Sequence, residues 1–177
     1  LTFGATREDF SRSKMDTLFG VPADAEVPAS TYQQHFAMLH LLQPHTPSYA
    51  VPELIELSCS PPFVRAALQL LVRRHAVLRT YYGIDTGDML QIILPADGFV
   101  VPLEVCTQAS WTASTHQTLT TLFLLTTEPP IRALFMRSES SLPGRLLLNV
   151  HHAATDYISN RMIFRRELHH ICEAIQR

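Results

Sequence analysis

Two adjacent histidines and a nearby aspartate are the residues of this chain best suited to acid–base chemistry. His151 and His152 stand side by side, and Asp156 follows four residues after the second histidine. A neutral imidazole can exchange a proton near neutral pH, and a nearby carboxylate can fix its tautomer or anchor the turn through an arginine. The same spacing fits two structural histidines followed by an aspartate that caps the next helix. Both interpretations stay open on these residues alone.

The sequence gives little support for a metal site or a disulfide framework. Zinc usually takes three or four nitrogen, sulfur or oxygen ligands, and no second cluster of histidine and cysteine accompanies the pair. We therefore predict no metal. The three cysteines, Cys59, Cys106 and Cys172, are odd in number and widely spaced. This pattern indicates a reducing compartment.

Hydrophobic periodicity predicts the elements that position the two histidines. Leu146–Val150 is a short apolar run typical of a buried strand, and it leads directly into the pair. Successive side chains of a strand point to opposite sides. We therefore expect one histidine in the interior and the other facing a reacting atom. From Ile158 to Ile175 apolar residues recur at helical spacing, so the predicted unit is a strand, a histidine-bearing turn and a helix.

Helices and strands are expected along the rest of the chain. Ser30 and Gln33 are placed as a capping box, and two prolines at the start of another segment suit a helix N-terminus. The further predicted helices are Asp9–Phe19, Ser30–Leu42, Pro61–His75 and Ser110–Leu125. The further predicted strands are the alternating stretch Ile55–Cys59, the hairpin strands around an Asp85–Asp88 turn, Phe99–Val105 and the stretch ending at Phe135. Pro102 interrupts one of these strands and predicts an edge or a bulge.

Composition and charge restrict the class of protein. The chain has 177 residues, which suits one domain with its own core. Its 14 basic and 16 acidic residues give a net charge of -2, which argues against a nucleic-acid partner. It is 46% hydrophobic, yet no apolar run approaches the length of a membrane span and no signal peptide is visible. We predict a cytoplasmic protein with no membrane partner.

The histidine stretch resembles the H-H-x-x-x-D-G-x-S motif of the condensation domains of nonribosomal peptide synthetases and related hybrids with polyketide synthases. Relatives with the chloramphenicol-acetyltransferase-like fold carry a similar motif. The residues from His151 to Ser159 match it except at Tyr157, where the family has glycine. The resemblance implies an acyltransferase.

Two further stretches resemble condensation-domain signatures in the same order. Arg74–Tyr82 is similar to R-H-E-x-L-R-T-x-F, with Ala76 in place of the glutamate and Tyr82 in place of the phenylalanine. Ser30 and Gln33 match S-x-A-Q-x-R-L-W. That signature is not matched at Tyr32, where the family has alanine, or at the three positions that follow Gln34.

The resemblance implies the fold and the domain boundaries. The expected fold is α+β, an α/β sandwich in which helices pack on a mixed, mostly antiparallel sheet. Residues 1–29 would be a lead-in or linker. Residues 30–177 would be the N-terminal, donor-side lobe of a domain whose second lobe lies outside this sequence.

The resemblance also assigns roles to the matching residues. His152 would accept the proton of the nucleophile, or hold the nucleophile in line with a thioester carbonyl. His151 would be a buried structural histidine. Asp156 would pair with an arginine of the second signature, for which Arg79 and Arg74 are the candidates.

Tyr157 and Ser159 are expected to border the substrate tunnel. A glycine at position 157 would let backbone and substrate approach closely and would accept unusual dihedral angles. A tyrosine there is expected to narrow the tunnel mouth or to impose a different turn. Together with Ala76, this departure predicts a diverged member that has changed its substrate, or has lost catalysis and kept a docking role.

The implied partners are other domains of a synthase. Acyl or peptidyl carrier protein domains would present the acyl group on phosphopantetheine, and no cofactor would bind to this chain directly. The second wall of the site would come from the C-terminal lobe of the same domain or from a neighbouring subunit. The acceptor would be an amine or a hydroxyl.

Two other functions fit the same sequence. A stand-alone acyltransferase resembling chloramphenicol acetyltransferase would complete its site between identical subunits, so its mass in solution would be that of an oligomer. A non-catalytic carrier-docking or scaffold lobe would bind carrier proteins without turnover.

Overall fold

The structure is a computed structural model that describes residues 26–43, 46–85, 88–137 and 143–176. Its strands are β1 Glu26–Pro28, β2 Ala50–Leu57, β3 Thr80–Asp85, β4 Asp88–Ile93, β5 Leu103–Cys106, β6 Ile131–Met136 and β7 Gly144–His151. Its α-helices are α1 Thr31–Leu42, α2 Pro61–Arg74, α3 Trp111–Thr120 and α4 Arg165–Ile175. A short 3₁₀ helix, Ala76–Arg79, connects α2 to β3, and a π-helical segment, Ser159–Phe164, precedes α4.

The strands form two sheets. The larger has the order β2-β7-β6-β5 and the smaller the order β1-β4-β3. All pairs are antiparallel except β5 with β6, which are parallel. The predicted α+β class with a mixed, mostly antiparallel sheet is therefore confirmed, as is the β3–β4 hairpin. The histidine-bearing strand β7 pairs with β6 on one side and β2 on the other.

Both faces of the larger sheet are covered, because its central strands are apolar on both sides. Ile131 and Leu148 face α2 and α4 in the main core, which also contains Leu68 and Leu168. The alternate positions of β6 and β7 pack against α3 in a smaller cluster that includes Leu134. Strand β7 is buried at every position but one. The last residue of this rigid central strand is His151.

Two helices follow their sequence signals closely. Ser30 and Gln33 form the predicted capping box at the start of α1, with the Gln33 amide donating to Ser30 Oγ at 3.3 Å and the Ser30 amide donating to Gln33 Oε1 at 2.9 Å. Helix α2 begins with two prolines, and its apolar stripe is fully buried. The buried stripe comprises Val64, Ala67, Leu68, Leu71 and Val72.

Two predicted elements are shorter in the structure than expected. The strand predicted from Phe99 to Val105 begins only at Leu103, because Pro102 has no amide to donate to the ladder; its carbonyl accepts from Ala133 instead. The strand lies at the sheet edge, as Pro102 indicated. The helix expected to reach residue 125 ends at Thr120, where the backbone of Thr121 is extended. Threonines near this end bond to the preceding turn, which weakens helix continuation.

Several predictions fall on parts of the chain that the structure does not describe. The helix expected over Asp9–Phe19, most of the predicted lead-in and the tip of the β3–β4 hairpin lie outside the described residues. The last part of the lead-in, Glu26–Pro28, is strand β1 and pairs with β4. The domain boundary at residue 30 stays a prediction. In the described ranges, no helix is both long and apolar enough to cross a membrane.

Candidate active site

Strand β7 ends in a turn whose backbone is held from both sides. The amide of His151 donates to Pro130 O at 2.8 Å, and the amide of His152 donates to Tyr49 O at 2.6 Å. The Tyr82 hydroxyl donates to Ala153 O at 3.1 Å from the smaller sheet. The two imidazoles therefore project from a backbone with little freedom to move.

His151 lies in the interior, where its exposed fraction is 2%. Its ring packs edge-on against His40 at 5.0 Å and against Phe123 at 5.7 Å between centroids. The Ala153 amide donates to His151 Nδ1 at 3.1 Å, so the neutral ring carries its proton on Nε2. Burial, and then the neighbouring His40 and His152, lower the pKa of His151 to about 3. The ring is therefore neutral at physiological pH and is placed as a structural group.

His152 lies one residue further on and is only half-buried. Its ring stacks on Phe36, with 4.1 Å between the centroids and 9° between the planes. Its Nδ1 is 2.7 Å from the Tyr32 hydroxyl. Nε2 makes no hydrogen bond to any group in the part of the chain that the structure describes. An imidazole held through one face and one nitrogen, with the second nitrogen unengaged, can exchange a proton with a bound molecule.

Asp156 caps the helix that follows the turn. Its Oδ1 accepts a hydrogen bond of 2.6 Å from the Ser159 amide, and helical geometry begins at Tyr157. The amide and then the hydroxyl of Ser159 lower the pKa of the Asp156 carboxyl, and His152 contributes a smaller effect in the same direction. In the sequence, this capping role was one of the two interpretations that the spacing of the histidines and Asp156 allowed.

Neither of the arginines expected to pair with Asp156 bonds to it among the described residues. Arg74 Nε lies 3.2 Å from Glu167 Oε1 on α4. The Arg79 guanidinium donates to the Val72 carbonyl at 3.2 Å and to the Leu94 carbonyl. Because other acceptors engage both arginines while the turn's own amides satisfy Asp156, the structure does not bring these groups together.

The two residues expected at the tunnel lie in the first helical turn that follows the histidine turn. They are Tyr157 and Ser159. Tyr157 is 58% exposed, and its hydroxyl accepts a hydrogen bond of 2.8 Å from Arg161 Nη1, one turn along the same helix. No hydrogen bond or ring contact joins this side chain to His152 among the described residues. Whether Tyr157 or Ser159 borders a substrate stays a prediction.

A buried polar network lies behind the turn and was missed by reasoning from the sequence. Asn160 has no exposed surface; its Oδ1 accepts from Thr155 Oγ1 and its Nδ2 donates to Val51 O on β2, each at 2.8 Å. It lies within the π-helical segment, a type of insertion frequent at functional sites. A polar residue among apolar helical positions was the available signal.

Tyr32 and Phe36 are also neighbours of His152 that the sequence does not reveal. Both lie on α1, with Tyr32 separated from His152 by 120 residues. A single sequence carries no signal for such a contact. In the sequence, Tyr32 and Phe36 stand out only as departures from a signature.

The comparisons with known proteins agree with the resemblance carried by the sequence motifs. The family model described as Condensation domain matches residues 23–177. The chain is 30% identical over 142 residues to one of the plipastatin synthase subunits from Bacillus subtilis (strain 168), which covers 78% of this chain and 6% of that protein. It is 32% identical over 157 residues to a dimodular nonribosomal peptide synthase of the same organism, which covers 86% of this chain and 6% of the relative.

Solved structures share the fold at lower identity. The starter condensation domain of rhizomide synthetase superposes with a TM-score of 0.74 at 17% identity, covering 86% of this chain and 38% of that one. The X-domain from teicoplanin biosynthesis superposes with a TM-score of 0.71 at 24% identity, covering 90% of this chain and 35% of that one. The chain therefore spans well under half of the solved structures it resembles.

Proposed function

The chain belongs to the condensation-domain family of nonribosomal peptide synthetases, and from that premise we propose that it forms the N-terminal, donor-side lobe of an acyltransferase. The complete site would transfer an acyl or peptidyl group from a carrier-bound thioester to an amine or hydroxyl. The second wall would be supplied by a C-terminal lobe or by a neighbouring subunit.

One observation carries the proposal: the His152 ring is held by Phe36 and Tyr32, while its Nε2 has no hydrogen bond within the described residues. A general base must present an unshared lone pair within reach of the nucleophile's proton. His151 cannot take this part, because it is buried and its Nδ1 already accepts a backbone hydrogen bond.

In the proposed reaction, His152 Nε2 removes or shares the proton of the attacking amine or hydroxyl. The nucleophile forms a bond to the thioester carbonyl carbon, and the bond from that carbon to the pantetheine sulfur breaks. The proton on His152 then passes to the departing thiolate. Phosphopantetheine enters only as the arm that carries the substrate. In this proposal Asp156 and His151 shape the turn, and neither exchanges a proton with the substrate.

The test is turnover of an acyl-pantetheine thioester with a panel of amine and alcohol acceptors. The full-length protein is compared with His152→Ala and with His170→Ala, a matched change at an exposed histidine of α4. We expect His152→Ala to lower the rate by about 10²- to 10⁴-fold, the contribution typical of general acid–base catalysis. His170→Ala should retain the wild-type rate.

Other outcomes would identify the alternatives. Carrier binding without turnover by any variant would contradict catalysis and favour a docking lobe. An active trimer that needs no second lobe would favour the stand-alone acyltransferase. Equal turnover by wild type and His152→Ala would contradict the role given to His152.

A further inference from the structure

The Tyr32 hydroxyl lies between two groups of the histidine turn. It is 2.7 Å from His152 Nδ1 and 3.3 Å from the backbone carbonyl of Thr155. Tyr32 occupies a signature position at which the condensation-domain family has alanine, a side chain without a hydrogen-bonding group. The contact is therefore a feature of this chain that family membership does not supply.

Only one arrangement of protons satisfies both contacts. A carbonyl oxygen cannot donate, so the contact with Thr155 requires the single Tyr32 proton to point at that oxygen. The Tyr32 oxygen must then accept from His152, which places a proton on Nδ1 and leaves Nε2 with its lone pair. In the reverse arrangement Tyr32 donates to Nδ1, and one of the two hydrogen bonds is lost.

We propose that Tyr32 is a positioning residue that holds His152 in the tautomer with a proton on Nδ1 and a free acceptor on Nε2. The proposal rests on the proposed function, because a free Nε2 is the form that a general base requires. When Nε2 takes a proton, Nδ1–H continues to donate to the Tyr32 oxygen, now as a charge-assisted hydrogen bond. The Tyr32 oxygen would thus accept a hydrogen bond from Nδ1 both before and after proton transfer, and would stabilise both states of the ring.

The surroundings of Tyr32 support this role. The next residue, Gln33, closes the capping box of α1 and donates to Gln91 Oε1 on β4 at 2.7 Å. The first turn of α1 is thereby tied to the smaller sheet, and the Tyr32 ring packs against Phe36 with 4.8 Å between centroids. Burial, and then the negative charge of Asp156, raise the pKa of Tyr32 above its ordinary value, so the hydroxyl keeps the proton that it donates to Thr155.

The test is the change Tyr32→Phe in the full-length protein, which removes only the hydroxyl. Thr120→Val is the matched control, because it also removes one hydroxyl, which donates to His116 O on α3 at 2.8 Å and lies outside the histidine turn. Three quantities are measured: kcat and KM for acyl transfer across a pH series, and the ¹⁵N shifts of the histidine ring nitrogens. The His152 signals are assigned by their loss in His152→Ala.

In wild type we expect His152 to show a protonated Nδ1 and an unprotonated Nε2 at high pH. Tyr32→Phe should give the averaged shifts of mixed tautomers and lower the plateau of kcat by about 10- to 100-fold, with KM nearly unchanged. Thr120→Val should alter none of these quantities.

A neutral His152 ring that carries its proton on Nε2 in wild type would overturn the proposal. So would His152 shifts and a kcat in Tyr32→Phe that equal those of wild type. If wild type itself shows no turnover, the proposed function fails, and the ring shifts alone still decide whether Tyr32 sets the tautomer.

Discussion

At the scale of single residues, burial separates two histidines that are adjacent in the chain. Burial disfavours a positive charge on His151, because the ring is surrounded by His40, Phe123 and other buried groups. His152 reaches the surface and keeps one nitrogen unengaged within the described residues. The alternation of a strand is sufficient to place two identical side chains in such different surroundings.

The neutral state of His151 predicts a loss of stability in acid. Its pKa is about 3 in the folded protein and about 6.5 when unfolded, so the unfolded chain binds more protons between these values. Stability should be complete above about pH 6.5 and decrease as the pH falls toward 3, by up to about 1.4 kcal/mol per pH unit. Urea unfolding from pH 7.5 to 4.5 measures this slope.

Two variants isolate the contribution of His151. His151→Gln should flatten the slope, leaving the smaller part from His40, whose pKa is also lowered by burial. His170→Gln, at an exposed position, should leave the slope as it is in wild type. An equal slope in wild type and His151→Gln would contradict the assignment.

The capping contact of Asp156 predicts a stability effect rather than a catalytic one. Asp156→Ala should lower the free energy of unfolding by about 1 kcal/mol, as expected for a lost N-cap, while Asp156→Asn should retain most of it. Because the pKa of Asp156 is lowered, its charged form should stabilise the protein above about pH 3.9, with that contribution lost in stronger acid. Chemical denaturation and turnover are measured on the same samples. An Asp156→Ala protein with wild-type stability and no activity would contradict this prediction.

The residue types at the site could be predicted from the sequence, but their contacts could not. The histidine pair and Asp156 lie within one short motif, so local spacing was informative. Asp156 was expected to pair with an arginine, yet the nearer Ser159 amide already satisfies its carboxylate. The contact between Tyr32 and His152 depends on how α1 packs against the turn, and that geometry has no local signal.

At the scale of elements, the π-helical segment Ser159–Phe164 links the histidine turn to β2 through hydrogen bonds. Asn160 makes two hydrogen bonds there without exposed surface. Asn160→Ala should cost about 2 to 4 kcal/mol, because both the Val51 carbonyl and the Thr155 hydroxyl lose a buried partner. Arg161→Ala, a neighbouring exposed change, should stay within about 0.5 kcal/mol of wild type. Urea unfolding distinguishes the two, and an Asn160→Ala loss below about 0.5 kcal/mol would contradict the prediction.

Elements whose apolar residues recur at a regular spacing could be predicted from the sequence. For elements without such a pattern, the predicted ends were wrong. The stripe of α2 and the continuous apolar run of β7 gave clear patterns because both elements are buried. Helix α3 is rich in threonine and has no fully buried residue, so its C-terminal end had no apolar signal. The π-helical segment could not be predicted, because one extra residue in a turn hardly disturbs helical spacing.

At the scale of the whole molecule, two cysteines far apart in sequence lie side by side. Cys59 Sγ and Cys172 Sγ are 3.1 Å apart and separated by 113 residues, and both are free thiols. A mild oxidant such as diamide should therefore join them, with loss of two protons and two electrons to the oxidant. Closing so long a loop should stabilise the fold by about 2 to 4 kcal/mol.

Intact mass and thermal unfolding before and after oxidation measure this effect. Cys59→Ser should abolish both the mass change and the rise in Tm, whereas Cys106→Ser should leave them unaltered. A wild-type protein that reacts at Cys106 instead, or that loses stability on oxidation, would contradict the prediction. This pair could not be found from the sequence, because odd, widely spaced cysteines predict only free thiols.

The position of β7 also decides when the protein can fold. This strand lies between β2 and β6, both of which precede it in the chain. Strand β2 ends at Leu57 and its partner β7 begins only at Gly144, so during synthesis β2 has no partner on this side until residues 144–151 emerge. A pairing across so many residues forms slowly. The same step that completes the sheet brings His151 and His152 to their partners. The unfinished sheet would therefore stay open until the histidine turn forms, and the ring signal of His152 would report completion of the whole sheet.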